Sequence, residues 1–77
     1  MIIAHKIQEI TFEQEFMYLH FQGNKIKVSL RLASQKLCEA NEIERNFYTF
    51  SPSGYGIHWP LIDEDLSVEA LLKLSEQ

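Results

Sequence analysis

Polar and apolar residues alternate along this chain in stretches of differing period, and each period predicts an element. Over residues 3–12 β-branched and aromatic residues recur at every second position, with Ile3, His5, Ile7 and Glu9 on one side and Ala4, Lys6, Gln8, Ile10 and Phe12 on the other. A period of two is that of an extended strand, so the first strand is predicted here. Residues 15–22 form a second strand-type run that ends at Gly23-Asn24, and Lys25-Ile26-Lys27-Val28-Ser29-Leu30 alternates cleanly after it. Gly and Asn tolerate positive φ. A two-residue turn at 23–24 therefore predicts a hairpin in which Gln22 faces Lys25, Phe21 faces Ile26, Leu19 faces Val28 and Met17 faces Leu30. Those apolar pairs define a core face. Phe16, Tyr18 and His20 fall on the opposite face beside Arg31, Ser29 and Lys27, which leaves three ring-bearing side chains for a helix or a partner to cover.

Beyond the hairpin the period changes. Residues 33–40 are helical in composition, with Leu32, Leu37 and Ala40 spaced by five and three positions and Ser34 available as a cap. Asn41 starts a further helical turn in which Glu44, three residues on, reaches back as in a capping box; Arg45 lies near its end, and it stops near Asn46. Phe47-Tyr48-Thr49-Phe50-Ser51 is strand-like again, Pro52-Ser53-Gly54 is turn chemistry, and residues 55–59 return antiparallel as a fifth strand. Gly54 and Gly56, on either side of Tyr55, suit positive φ in that turn and a bulge after it. Pro60 lacks the N–H needed to continue a ladder, so the strand ends there. A last helix is predicted from about Ser67, its N-cap, to Leu74, with Asp63, Glu64, Asp65 and Glu69 near its positive end and Val68, Leu71, Leu72 and Leu74 as its packing stripe. The predicted order is β-β-β-α-β-β-α. This is an α+β domain with a mainly antiparallel sheet of four or five strands and helices packed on it. No repeat or linker interrupts residues 1–77, so a single domain is expected.

Size and composition sharpen that picture. A chain of 77 residues with 45% hydrophobic content builds one core and little more, and domains this small often gain stability by oligomerising, so a homodimer is expected. The single cysteine, Cys38, excludes an internal disulfide and points to a reducing, cytoplasmic setting. Its apolar helical surroundings favour packing over a nucleophilic role. No stretch approaches the roughly 20 apolar residues that cross a bilayer, and the start lacks a signal-type apolar run. Seven Lys and Arg stand against eleven Asp and Glu, a formal charge of −4, which disfavours direct nucleic-acid binding. Lys25, Lys27 and Arg31 make up the one basic group. An acidic surface suits a basic protein partner better.

Candidate chemistry is sparse. His5, His20 and His58 fall on predicted strands, and no two share a metal-type spacing, so no metal and no cofactor is expected. Asp63-Glu64-Asp65 lacks the spaced oxygens, glycine and distal carboxylate of a calcium loop and reads as helix-end charge. Glycines at 23, 54 and 56 build no phosphate loop, dinucleotide fingerprint or nucleophile elbow, so no enzyme is expected. Trp59-Pro60 carries two readings: the indole packs beneath the loop that leads to the last helix, or it anchors a partner, as tryptophan often does at binding hot spots.

The tail Gly54-Tyr55-Gly56-Ile57-His58-Trp59-Pro60-Leu61-Ile62-Asp63-Glu64-Asp65-Leu66-Ser67, followed by Leu71-Leu72, resembles the C-terminal signature of a widespread small bacterial domain of unknown function. The resemblance extends upstream through the hairpin at Gly23, residues 32–40 and Glu44-Arg45-Asn46. It implies an α+β fold with no assigned reaction, and for some members an antitoxin-like role beside another small protein. Longer relatives carry a helix-turn-helix domain that implies DNA binding; no such second domain is expected within residues 1–77. The combined expectation is a non-catalytic protein-protein interaction domain, an antitoxin-like partner of a small basic protein, with Phe16, Tyr18 and Trp59 as anchors. The alternatives are a regulatory module that contributes to DNA binding within a complex, and a small-ligand-binding or enzyme accessory subunit.

Overall fold

The computed structural model describes residues 7–75. The N-terminal half is a three-stranded antiparallel meander of β1 (Glu9–Glu13), β2 (Phe16–Phe21) and β3 (Asn24–Ser29), in that spatial order. Three short helices follow: α1 (Leu30–Ala33), α2 (Gln35–Glu39) and α3 (Glu42–Asn46). A second antiparallel meander contains β4 (Thr49–Phe50), β5 (Gly56–Trp59) and β6 (Glu64–Ser67), and α4 (Val68–Leu74) closes the fold. The fold class is α+β, as the sequence predicts. Among the described residues the single sheet of four or five strands is instead two sheets of three.

The core face of the first hairpin is as predicted, but its register is not. Met17 faces Val28, Leu19 faces Ile26 and Phe21 faces Asn24, a slip of two residues from the expected pairing. Gln22 and Gly23 form the turn, and Gly23 alone takes positive φ, at 80°, so Asn24 is free to join the ladder. A slip of two preserves which face each side chain occupies. Met17, Leu19 and Val28 are accordingly buried, while Phe16, Tyr18 and His20 lie outside beside Ser29, Lys27 and Lys25.

Among the described residues the first strand begins at Glu9 and runs to Glu13, leaving out Ile7 and Gln8; Ile3, Ala4, His5 and Lys6 lie outside the described residues. Ile7 and Ile10, assigned by alternation to opposite faces, are both buried. The reason is a bulge. Glu9 pairs with His20, and the Gln8 N–H also donates to the His20 carbonyl at 2.7 Å, so two residues oppose one and the alternation shifts by one.

The predicted helix over residues 33–40 is broken at Ser34, which ends α1 and starts α2; its hydroxyl accepts from the Leu37 N–H at 3.1 Å. Leu30 is not the last residue of a strand but the buried first residue of α1, and Leu32, which precedes the predicted helix, lies within α1 and is 63% exposed. The capping box is as predicted: Asn41 accepts from Glu44 N–H at 2.8 Å, and the Glu44 carboxylate accepts from Asn41 N–H at 3.0 Å. Ser67 caps α4 through the Ala70 N–H, and Val68 and Leu71 are buried beneath it.

The element the sequence concealed is β6. Pro60 does end β5, but Asp63 then adopts a left-handed φ of 53° and turns the chain so that Glu64 pairs with Trp59, Asp65 with His58 and Leu66 with Ile57. Acidic residues are poor strand formers. Here each carboxylate has a partner that offsets this: Glu64 accepts from the Ser34 hydroxyl at 2.5 Å, and Asp65 lies 2.7 Å from His58 Nδ1. Only Glu69, of the four acids expected at the helix end, lies in the first turn of α4.

Candidate functional site

Trp59 is fully buried, and its indole N–H donates to the Arg45 carbonyl at 2.9 Å. The packing reading of this residue therefore fits the structure, and the side chain offers no surface to a partner. Phe16 and Tyr18 are half-buried on the outer face of the first sheet. Lys27 lies over the Phe16 ring at 4.1 Å from its centroid and Lys25 over Tyr18 at 5.2 Å, so cross-strand lysines already cover these rings in part. Tyr18 donates to Glu13 at 3.3 Å, and its hydroxyl pKa is raised above the ordinary value by desolvation first, then by the Glu13 charge and hydrogen bond. His20 on the same face is held 2.8 Å from the Thr11 hydroxyl.

The basic group of the sequence is dispersed by these contacts. Lys25 and Lys27 serve the two rings, while Arg31 is on α1 rather than the strand and lies 3.8 Å from Glu15. His20 and His58 belong to different sheets, His5 lies outside the described residues, and no group of three metal-ligating side chains occurs among the described residues. Cys38 is half-buried against the core.

A site the sequence did not reveal lies between β1 and α3. It is a groove of about 500 Å³, lined among others by Glu9, Phe12, Glu42, Arg45, Asn46 and Tyr48. One wall is the outer edge of β1. The Tyr48 hydroxyl accepts from the Ile10 N–H at 3.0 Å and donates to the Ile10 carbonyl at 3.4 Å, so the Ile10 backbone faces away from β2. By strand alternation the N–H and C=O of Phe12 face the same way. Next along the chain, the Gln14 carbonyl accepts from Arg45 Nη1 at 2.8 Å. Among the described residues the strand edge is thus closed at Ile10 and Gln14 and open between them.

Among the described residues Arg45 is the one cation lining this groove, and three of its five N–H donors are committed to backbone. Besides Gln14, it donates from Nε to the Leu37 carbonyl at 3.2 Å and from Nη2 to the Cys38 carbonyl at 2.9 Å, which satisfies the C-terminal carbonyls of α2. The guanidinium also lies 5.8 Å from the Phe12 ring centroid. Glu9 and Glu42 take part in no ion pair among the described residues. Beside Glu42 on α3, Ile43 and Phe47, one helical turn apart, are 75% and 54% exposed. The groove is acidic, edged by open backbone and flanked by apolar side chains.

A model of the family described as "Protein of unknown function (DUF2442)" matches residues 7–77. The chain belongs to the DUF2442 family. No curated protein and no solved structure gives a significant match. For this DUF2442 domain the tail residues acquire structural roles: Trp59 bonds to α3, Glu64 bonds to α2, and the turn through Asp63 builds the second sheet. No helix among the described residues is long and apolar enough to cross a membrane.

Proposed function

We propose that this DUF2442 domain is a non-catalytic interaction module that binds a small basic protein, in the manner of an antitoxin that neutralises its partner. The observation that carries this reading is the pairing of exposed apolar side chains with an acid that forms no ion pair among the described residues: Ile43 on α3 and Phe47 at its C-cap are exposed beside Glu42, in a chain of net charge −4. Large apolar side chains exposed together beside charged ones are the usual composition of a contact surface, where the apolar groups supply affinity and the charge supplies speed of encounter and choice of partner. A cytoplasmic location, consistent with the lone cysteine, completes the proposal.

The test is co-expression with the genes that neighbour its own, followed by affinity purification and intact-complex mass measurement. A companion recovered in fixed stoichiometry, whose binding weakens as salt is raised, supports the reading. Recovery of the domain alone, as monomer or homodimer, overturns it.

A further inference from the structure

We propose that the groove between β1 and α3 receives an extended basic segment of the partner, which adds as a short strand to the β1 edge at Phe12. This inference rests on the interaction reading above and specifies its site and mode.

The backbone of the β1 edge defines where such a segment can pair. Tyr48 occupies both hydrogen-bonding groups of Ile10, and Arg45 occupies the Gln14 carbonyl, so Phe12 presents the N–H and C=O that remain available between them. In antiparallel addition one residue of the incoming strand exchanges both hydrogen bonds with Phe12. Its two neighbours then point to the opposite face, where they stand opposite Thr11 and Glu13, the first of them with Glu9 and Glu13 as diagonal neighbours. Lysine or arginine at those neighbouring positions meets carboxylate, and Glu42 supplies a further one from the α3 wall. The pattern expected of the segment is basic-apolar-basic.

The charge also excludes a second copy of this chain at the same edge. Two β1 strands paired antiparallel about Phe12 set Glu13 of each copy opposite Thr11 of the other and diagonal to its Glu9 and Glu13, which gathers like charges on one face and opposes pairing. Among the described residues Arg45 forms no ion pair with these carboxylates, and three of its five N–H donors go to main-chain carbonyls instead.

The experiment uses the whole chain, labelled with nitrogen-15, and three blocked pentapeptides: Lys-Val-Lys-Val-Lys, the same peptide N-methylated at both valines, and Glu-Val-Glu-Val-Glu. Titration of the first to millimolar concentration is expected to shift the amides of Thr11, Phe12 and Glu13 and those of α3 most. Methylation removes the donor to Phe12 and is expected to weaken binding about tenfold. Glu9→Gln with Glu42→Gln is expected to weaken it about fivefold while leaving the fold intact, because both carboxylates are exposed. Equal binding of the acidic or N-methylated peptide, shifts centred on the Phe16–His20 face, or no shift at all overturns the proposal. Hydrogen exchange on a complex with a co-purified partner separates the two claims. Protection at β1 and α3 supports this site, protection elsewhere overturns it while leaving the interaction reading intact, and failure to obtain any partner overturns that reading.

Discussion

Trp59 and Arg45 are joined by a hydrogen bond from the indole N–H to the Arg45 main-chain carbonyl, at 2.9 Å, and this bond ties the second sheet to the end of α3. The same arginine sends its side chain back to the carbonyls of Gln14, Leu37 and Cys38. One residue thus connects the β1–β2 turn, α2, α3 and β5.

Trp59→Phe keeps an aromatic ring but leaves the Arg45 carbonyl without its donor, and is expected to destabilise the domain by about 1–3 kcal/mol. Trp59→Ala adds a cavity and is expected to lose about 3–5 kcal/mol, enough to unfold a large share of a chain this small. Urea denaturation followed by circular dichroism measures both. Equal stability of wild type and Trp59→Ala would contradict the buried position.

Arg45→Lys retains the charge but not the planar fork that meets three carbonyls. It is expected to lose about 1.5–3 kcal/mol, nearly as much as Arg45→Met, since a single ammonium cannot span those acceptors. Comparison of the denaturation midpoints of the two variants decides this, and full rescue by lysine would show that charge alone matters.

Ser34 and Glu64 form the link between α2 and β6, with the serine hydroxyl donating to the carboxylate while accepting from Leu37 N–H. Ser34→Ala is expected to cost about 1–2 kcal/mol through the cap alone. A double-mutant cycle with Glu64→Gln is expected to show coupling of at least about 0.5 kcal/mol. Strict additivity of the two substitutions would mean that the bond contributes nothing to stability.

Tyr18 is an acid whose folded pKa is raised above the ordinary 10.0, so the unfolded chain gives up this proton first. The stability it contributes is present below pH 10.0 and is lost as pH rises through the folded value. Glu13→Gln removes both contributions of that carboxylate and is expected to lower the Tyr18 pKa. Absorbance titration of tyrosinate, with Tyr18→Phe to assign the transition, reads the shift, and an unchanged Tyr18 transition in Glu13→Gln would refute the pairing.

Much of the first half of the fold was legible because its signals are local. The assignment of Met17, Leu19 and Val28 to one face follows from alternation within each strand and survives an error of two residues in register. The Asn41–Glu44 capping box and the Ser67 cap are set by residues three apart. Ile7 misleads alternation because a bulge inserts one residue, and nothing at Gln8 or Glu9 marks it in the sequence. The register itself turned on which of Gly23 and Asn24 would leave the turn, a choice that the positive φ of Gly23 makes with Gln22 as its companion.

The sequence by itself determined the α+β class, the core face of the first hairpin and the caps of α2, α3 and α4, because strand period and helix-end hydrogen bonding act over a few neighbouring residues. Tertiary structure alone decided the rest. Glu64 and Asp65 became a strand only once Ser34, thirty residues away, and His58, across the sheet, could receive their carboxylates. Trp59 became core rather than surface because the Arg45 carbonyl lay within reach of its N–H. The groove exists because β1 and α3, separated by the whole of the first hairpin and two helices, meet side by side with Arg45 turned to backbone and Glu9 and Glu42 in no ion pair among the described residues. Such relationships depend on distance in space, and local residue patterns carry no record of it.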